Sequence, residues 1–457
     1  MHQAPIETDA MQKADYWLES LHEPDEVLQT PEQVSEQNAR WEKTVPSLQA
    51  LLDYPESISR EKLVRLLSTD RPPAGELFDE RGSAVDGAFW EMMAAARATP
   101  QPDGERTAVR YGFAVERLDV RTFPTSSGVF RKGQGERFDR LQETAWPVFE
   151  PLVIHHRSKD GRFVYAQSRT YRGWTRVEGV AETDRETFHR QLATFAQGAF
   201  ATVLERSAPV YLPDGETREA AFATRLPLAG TGARMAAPDG DDRLAVWWPV
   251  RDGDGRLNLV RAAVAQTDAC PGHLPCNRRS LVGQAFKLLG EPYGWGGACG
   301  LHDCSSFVMD MYRTVGMDLP RNTDDQEAVP SARAHRFAPG DDVAARMSVL
   351  STFRAGDVLY MPGHTMVWLG LRNGRAYVIH DYSGYAVPDG SGGWMGVPVQ
   401  KVGVMPLDRR LGDGRQYVEA LTSAVSFTEE APSAVEAPSA VEAPPAVEAP
   451  PDRRRGG

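Results

Sequence analysis

Near Ala108 the hydrophobic period of this chain changes, and that change divides what it can fold into. Before it, "TPEQVSEQNARWEKTVPSLQALLD", "SREKLVRLLS" and "GAFWEMMAAARA" carry apolar residues near helical spacing, and Thr30-x-x-Gln33 has the form of a capping box. After it, "TAVRYGFAVERLDVRTFP", "EPLVIHHRSKDGRFVYAQSRTYRGWTRV" and "RLAVWWPVRDGDGRLNLVRAAV" are short runs of period two, broken by Asp-Gly and Gly turns. Such runs suit one or two small β-barrels between about residues 109 and 265. A mixed segment follows: an apolar helix in "SLVGQAFKLLG", a Gly-rich stretch, a second helix, then strands around "GDVLYMPGHTMVWLGLRNGRAYVIHDYSG". From Glu430, "EAPSAVEAPSAVEAPPAVEAPP" repeats every six residues. Its prolines favour extended chain, so a disordered tail is expected, ending in the basic tip "DRRRGG".

At 457 residues, length alone suggests about three domains. The net charge of -12 argues against nucleic acid, whose backbone needs a basic face. No apolar run approaches the roughly 18 residues that would span a membrane. The start, "MHQAPIETDAMQKADYW", shows no basic stretch followed by an apolar one, so no secretory signal is read there. Four cysteines in such a chain do not make a disulfide scaffold, and the redox compartment stays open.

Two of those cysteines, Cys299 and Cys304, lie in "YGWGGACGLHDCSS". Beyond it Phe307, Val308, Met311, Tyr312 and Val315 share one helical face. Asp303 is a good N-cap, which puts Cys304 in the first turn, where the helix dipole favours a thiolate. The preceding glycines allow a tight backbone approach and leave room for substrate. A lone cysteine at a helix start is more often packing than chemistry, so the position needs a partner. His364 and His380 are the candidates, separated by the hairpin signal "LRNGR". A two-residue Asn373-Gly374 loop would send the two histidines to opposite faces. A three-residue loop pairs Leu371 with Arg375, sets residue 364 opposite 382 and leaves His380 diagonal to His364 on one face. The three-residue loop is the expectation. "CGLHDC" also offers Cys299, His302 and Cys304 to a metal, but no second paired cluster accompanies them, and no metal is expected. Cys270 and Cys276 could close a small disulfide loop in an oxidising compartment.

With these residues in view, "YGWGGACGLHDCSSFVMDMYRTVGMDLPRNTDDQ", "FRAGDVLYMPGHTMVWLG" and "AYVIHDYSG" resemble the catalytic domain of NlpC/p60 cysteine peptidases, from about Leu281 to Leu407. The resemblance implies a papain-like core that cleaves peptide stems of bacterial peptidoglycan, with Cys304 as nucleophile, His364 as base and His380 orienting it. Ser306 stands where the family's Asp-Cys-Ser-Gly block has glycine. "DYWLESLHEPDEVLQTPEQVSEQNAR" and "RYGFAVERLDVRTFPT" onwards are similar to a subgroup with a helical N-terminal stabilising domain and two bacterial SH3-like domains. The implied fold class is α+β multidomain: a helical N-terminal stabilising domain (10–108), SH3-like β-barrels (109–195 and 196–265), a papain-like catalytic domain (277–415) and a tail (422–457). The subgroup selects stems with a free N-terminal L-Ala and cleaves between γ-D-Glu and the diamino acid. That role falls by motif on Asp303 and Ser305, on Glu150 and less directly Tyr171, and on Thr323, which replaces a serine of the cleft. No cofactor is implied. The family points to the cell envelope or periplasm, whereas the missing signal points to the cytoplasm and recycling of stem peptides. An acyltransferase or amidase on the same fold, and a non-catalytic wall-binding protein, are the competing readings.

Overall fold

The computed structural model describes residues 8–69, 71–100, 106–230, 234–236 and 242–428. Seven antiparallel strands make the first β unit. Across the sheet they run Val180–Thr183, Arg110–Ala114, Pro151–Arg157, Phe163–Gln167, Arg172–Arg176, Leu118–Arg121 and Gln142–Trp146. The Asp160-Gly161 turn, with Gly161 at φ 72°, joins two of them as the sequence indicates. A second β unit follows as two antiparallel sheets of three and five strands rather than one closed barrel, and it runs to Pro271, past the expected end at 265.

The two units share one apolar core. Phe113, Val153, Tyr165 and Trp174 of the first pack with Val203, Val210, Val246 and Val264 of the second. Helix Arg185–Ala196 joins the units, its Phe188 lying 5.0 Å from Tyr111 and 5.4 Å from Phe113 between ring centroids. Units this short bury a smaller fraction of their surface alone than a larger domain does, so pooling one core is the more stable solution.

The first hundred residues do contain the expected helices, Pro31–Thr44, Arg60–Ser68 and Gly87–Ala96, and Thr30 and Gln33 make the reciprocal capping box. They do not gather around a core of their own. Trp17, Val34 and Trp41 pack with the C-terminal domain. Tyr54, Leu63 and Leu67 join the core of the β units, and Leu77 and Met93 sit with Phe123 and Leu141. This region is a strap across the other domains, because its apolar stripes are matched by faces outside it.

Elements of the C-terminal domain are numbered α1 (Arg278–Lys287), α2 (Cys304–Arg313), α3 (Thr323–Glu327), α4 (Val343–Leu350) and α5 (Tyr417–Ala420). Its strands are β1 (Arg333–Arg336), β2 (Val358–Met361), β3 (His364–Arg372), β4 (Arg375–Pro388), β5 (Trp394–Pro406) and β6 (Ser423–Ser426). They pair antiparallel in the order β1-β6-β2-β3-β4-β5. Helix α2 buries Phe307, Val308, Met311 and Tyr312 in the cluster that holds Val367, Ile379 and Val425 of the sheet. Met366, Trp368 and Val378 belong to a second cluster with Leu350, Tyr417 and Val418. The expected tail boundary at 422 therefore falls inside this domain. β6 is an inner strand and Phe427 packs edge-on against Trp41 at 5.8 Å, while the six-residue repeat lies outside the described residues.

The hairpin between β3 and β4 corrects a second expectation. Asn373 and Gly374, at φ 50° and 75°, form a two-residue turn that pairs Arg372 with Arg375. Alone, that turn would separate the histidines. A bulge at Leu369 shifts the register between Trp368 and Gly370, so Val367 pairs with Ile379. Continued to the start of β3, this register sets His364 opposite Tyr382, with His380 as its diagonal neighbour. The expected relation holds through a different device.

Candidate functional site

Asp303 caps α2 as expected, accepting from Ser306 N at 2.9 Å, and Ser306 returns the bond through Asp303 N→Oγ at 2.9 Å. The serine in place of a glycine thus completes a capping box that locks the first turn. Cys304 opens the helix and is 7% exposed. Burial, then the Asp303 carboxylate, push its thiol up to about 12, against hydrogen bonds from the Thr365 backbone and the Thr323 side chain. The substrate-free site does not show the thiolate that a helix start alone would favour, because desolvation outweighs the dipole.

His364 Nε2 lies 2.8 Å from His380 Nδ1, which brings the two predicted histidines together. Burial lowers His364 to about 4 and takes His380 well below its ordinary value, so both rings are neutral at pH 7. His380 stacks on Tyr382 with ring centroids 4.0 Å apart and planes 8° apart, which fixes its orientation. Thr323, at the first turn of α3, joins the site through its bond to Cys304.

The glycines before the nucleophile do allow a close approach, but by protein. A Cβ on Gly296 would lie 2.6 Å from Gln142 O, and one on Gly297 would lie 3.2 Å from the Ala145 Cβ. Strand Gln142–Trp146 of the first β unit therefore presses on this loop. Gln142 Nε2 donates to Gly296 O at 3.2 Å, and Arg117 donates to Gly297 O.

Of the residues expected at the substrate's amino end, Glu150 is already engaged by another side chain. It is buried and paired with Arg313 Nη2 at 3.1 Å, at the far end of α2 from Cys304. Tyr171 instead donates its hydroxyl to Glu143 Oε2 at 2.7 Å, and Thr122 donates to the other oxygen. Glu143 is half-buried and sits beside Gly296, where its carbonyl carbon is 3.0 Å from a Cβ built on that glycine. Sequence reading did not single it out, because "RLQETAW" marks a strand and nothing in its period tells an acid bonded by Tyr171 and Thr122 from a solvated one.

Asp303 and Ser305 are both engaged by Arg321, which the sequence also hid inside "LPRNT". Arg321 Nη2 reaches Asp303 Oδ2 at 2.6 Å and Nη1 reaches Ser305 Oγ at 2.7 Å. Burial opposes the Asp303 charge, yet Arg321 and Ser306 hold its carboxyl below the usual range.

His302 is clamped between Glu291 Oε1 at 2.6 Å and Asp310 Oδ2 at 3.3 Å. Burial would strip its proton, but the hydrogen bonds to Asp310 and Glu291 lift it to about 10, so it is an imidazolium. Cys299 is exposed with φ 58°, so "CGLHDC" does not converge, and among the described residues no group of three or more His, Cys, Asp or Glu could hold a metal ion. Cys270 and Cys276 are both free thiols. Asp381, next to His380, is buried with neither oxygen hydrogen-bonded among the described residues, and desolvation raises it to about 9.

Parts of the chain are similar to known proteins. Residues 290–391 match the NlpC/P60 family, and residues 127–176 match an SH3 domain of the SH3b1 type. A γ-D-glutamyl-L-lysine dipeptidyl-peptidase of Bacillus subtilis (strain 168) is 31% identical over 99 residues, which is 21% of this chain and 28% of that protein. A protein of the same name from Bacillus cereus (strain ATCC 10987 / NRS 248) is 26% identical over 147 residues, 31% of this chain and 40% of that protein. The matched stretches thus span less than half of either relative. An NlpC/P60 endopeptidase from Photobacterium damselae subsp. piscicida has a similar fold, with a TM-score of 0.68 at 15% identity over 91% of this chain and 97% of that one.

Proposed function

We propose that this chain, which carries an NlpC/P60 domain and an SH3b domain, is a cysteine peptidase that hydrolyses the bond between γ-D-Glu and the diamino acid of peptidoglycan stem peptides. The observation that carries the reading is the His364–His380 pair at 2.8 Å, beside a helix-start cysteine that receives a hydrogen bond from the residue after His364. Both Bacillus relatives are named for the corresponding γ-D-glutamyl-L-lysine linkage.

The neutral thiol and the neutral imidazole are the resting forms, so the proton moves as the sulfur attacks. With Nε2 against His380, Nδ1 is the His364 nitrogen left to take the Cys304 proton. The sulfur bonds to the γ-carbonyl carbon, and the oxyanion is met by N–H groups at the start of α2. His364 then gives its proton to the leaving amine. In the second half, water attacks the thioester with His364 as base, and the thiol is restored.

We further read Glu143, held by Tyr171 and Thr122, as the acceptor for a free N-terminal ammonium. Asp303 and Ser305 act as scaffold, since Arg321 already occupies them. The second β unit is read as a second SH3-like domain, and the N-terminal helices as a stabilising strap.

The deciding assay is mass spectrometry on L-Ala-γ-D-Glu-diaminopimelate, its N-acetylated form and intact peptidoglycan. Cleavage of the free peptide by the wild type and none by Cys304→Ala is expected, with the variant's melting curve unchanged. Equal turnover by Cys304→Ala would sink the reading. Cleavage of N-acylated stems as efficiently as free ones would remove the Glu143 role and leave a general wall hydrolase.

A further inference from the structure

We propose that Arg321 is a positioning residue through which the first β unit sets the geometry of the Cys304 nucleophile. The inference rests on the reading above only in taking Cys304 as the reactive thiol.

The guanidinium is 3% exposed and spends each nitrogen on a different partner. Nε donates to Thr144 Oγ1 at 2.7 Å, on the edge strand of the first β unit. Nη1 goes to Ser305 Oγ at 2.7 Å and Nη2 to Asp303 Oδ2 at 2.6 Å, the residues on either side of Cys304. Ser305 Oγ in turn donates to Asp303 Oδ1 at 3.3 Å, which closes a ring of three side chains around the nucleophile's backbone. Asp303 Oδ2 also accepts Gly296 N at 3.0 Å, so the same carboxylate ties down the glycine against which Gln142 presses.

Two physical consequences follow from this wiring. A planar fork with fixed donor directions defines the position of three acceptors at once, which an ammonium on a flexible stem does not. The Arg321 charge also neutralises the Asp303 carboxylate, which otherwise stands buried beside the thiol and disfavours its ionisation. Without Arg321 the N-cap would become an unpaired buried anion and the thiol harder to ionise. Without Thr144 the fork would lose its short bond to the β unit and keep there only the long one from Nη2 to Glu143 O at 3.5 Å, while Asp303 and Ser305 would keep theirs.

The test reads thiol chemistry without any substrate. The alkylation rate of Cys304 by iodoacetamide is measured across neutral and alkaline pH in the full chain, with peptide mapping to separate it from the exposed Cys299. Arg321→Met, Arg321→Lys and Thr144→Val are compared with the wild type. For Arg321→Met the midpoint is expected to move to higher pH, and the rate at neutral pH to fall at least about tenfold, the scale of one hydrogen bond to a charged group. Arg321→Lys restores charge without the fork and should recover only part of the rate. Thr144→Val should shift the profile in the same direction by less, and it carries the test if Arg321→Met fails to fold. Thr144→Val and Arg321→Lys profiles that superimpose on the wild type would overturn the proposal. So would a shift in Arg321→Met with none in Thr144→Val, since Arg321 would then act within its own domain alone. Inactivity of the wild type on every stem peptide would count against the proposed reaction and leave this measurement standing.

Discussion

Helix α2 is gripped at both ends by a β unit, and the two grips are different in kind. At its N-terminus the first unit reaches in through Thr144 and Arg321 to the residues flanking Cys304. At its C-terminus the second unit sends Arg225, whose Nη2 donates to Arg313 O at 3.0 Å and pairs with Asp318 Oδ1 at 3.0 Å. The C-terminal grip adds a second donor to a carbonyl of the last turn, which already accepts from Gly316 N at 3.1 Å, and complements the negative end of the dipole. It is anchored by Asp318, whose ionisation burial opposes but Arg225, Arg169 and Arg313 enforce. Guanidinium on carboxylate is the chemistry in both places. At one end it orients the residues on either side of the nucleophile, and at the other it fastens domains some nine residues, about 13 Å, further along the helix. An ion pair therefore declares its role by what its far side touches.

If this contrast is right, substitutions at the two ends should separate activity from stability. The largest effect is expected for Glu143→Gln, on the N-terminal side. Losing the charge that meets a substrate ammonium should lower kcat/KM for the free peptide by about 100-fold or more. The N-acetylated peptide should be unaffected, and thermal unfolding should stay in place. A loss shared equally by both peptides would make Glu143 a general structural residue and blur the contrast.

At the other end, Arg225→Met leaves Asp318 with one fewer partner in a buried site. Denaturant unfolding should show a stability loss of about 3 kcal/mol, as for breaking other buried pairs. Turnover per folded molecule should match the wild type at temperatures where both are folded. A fall in kcat in fully folded Arg225→Met protein would show that the C-terminal grip also tunes the nucleophile.

The same two ends show what the sequence could and could not disclose. The capped helix, its buried face at Phe307, Val308, Met311 and Tyr312, and the pairing of His364 with His380 follow from periodicity and local chemistry. Those features are encoded within a few residues of each other. The hairpin came out with the right histidine relation by a different route, because a bulge at Leu369 depends on the fit of two strands and leaves no local signature. Arg321, Glu143 and Arg225 were invisible for a related reason. Each is one charge among many in the chain, and its meaning is set by partners on other elements: Arg321 meets Thr144 and Arg225 meets Arg313 across more than 80 residues, and Glu143 meets Tyr171 across 28. The expectation for Glu150 met the same obstacle, since its ion pair with Arg313 joins residues far apart in the chain. Glu143 and Glu150, seven residues apart, sit on one β unit, and only the fold shows that Arg313 pairs with Glu150.

The smallest predicted effect concerns a group at the N-terminal end that neither grip uses. Asp381 faces His302, Asp303, Glu291 and Arg137 electrostatically, yet its carboxyl has no hydrogen-bond partner among the described residues, and burial lifts it from 3.8 to about 9. Its folded-state value lies above the unfolded one. From about pH 4 the unfolded chain releases this proton while the folded chain keeps it, so stability drains away as pH rises towards 9 and levels off beyond. Asparagine has the same shape and no proton to release. Asp381→Asn should therefore stabilise the fold, by more than about 1 kcal/mol near pH 8, since each unit of upward shift is worth about 1.4 kcal/mol. The gain should shrink towards zero near pH 4. Denaturant unfolding of both proteins at about pH 5 and pH 8 measures it. A gap of equal size at the two pH values would mean that the carboxyl titrates normally. An imidazolium and two carboxylates beneath the nucleophile would then be balanced without it. A gap that widens with pH would show that the N-terminal end of α2 tolerates a destabilising acid next to the histidine pair, whereas every acid at the C-terminal grip, Glu150 and Asp318 among them, is paired.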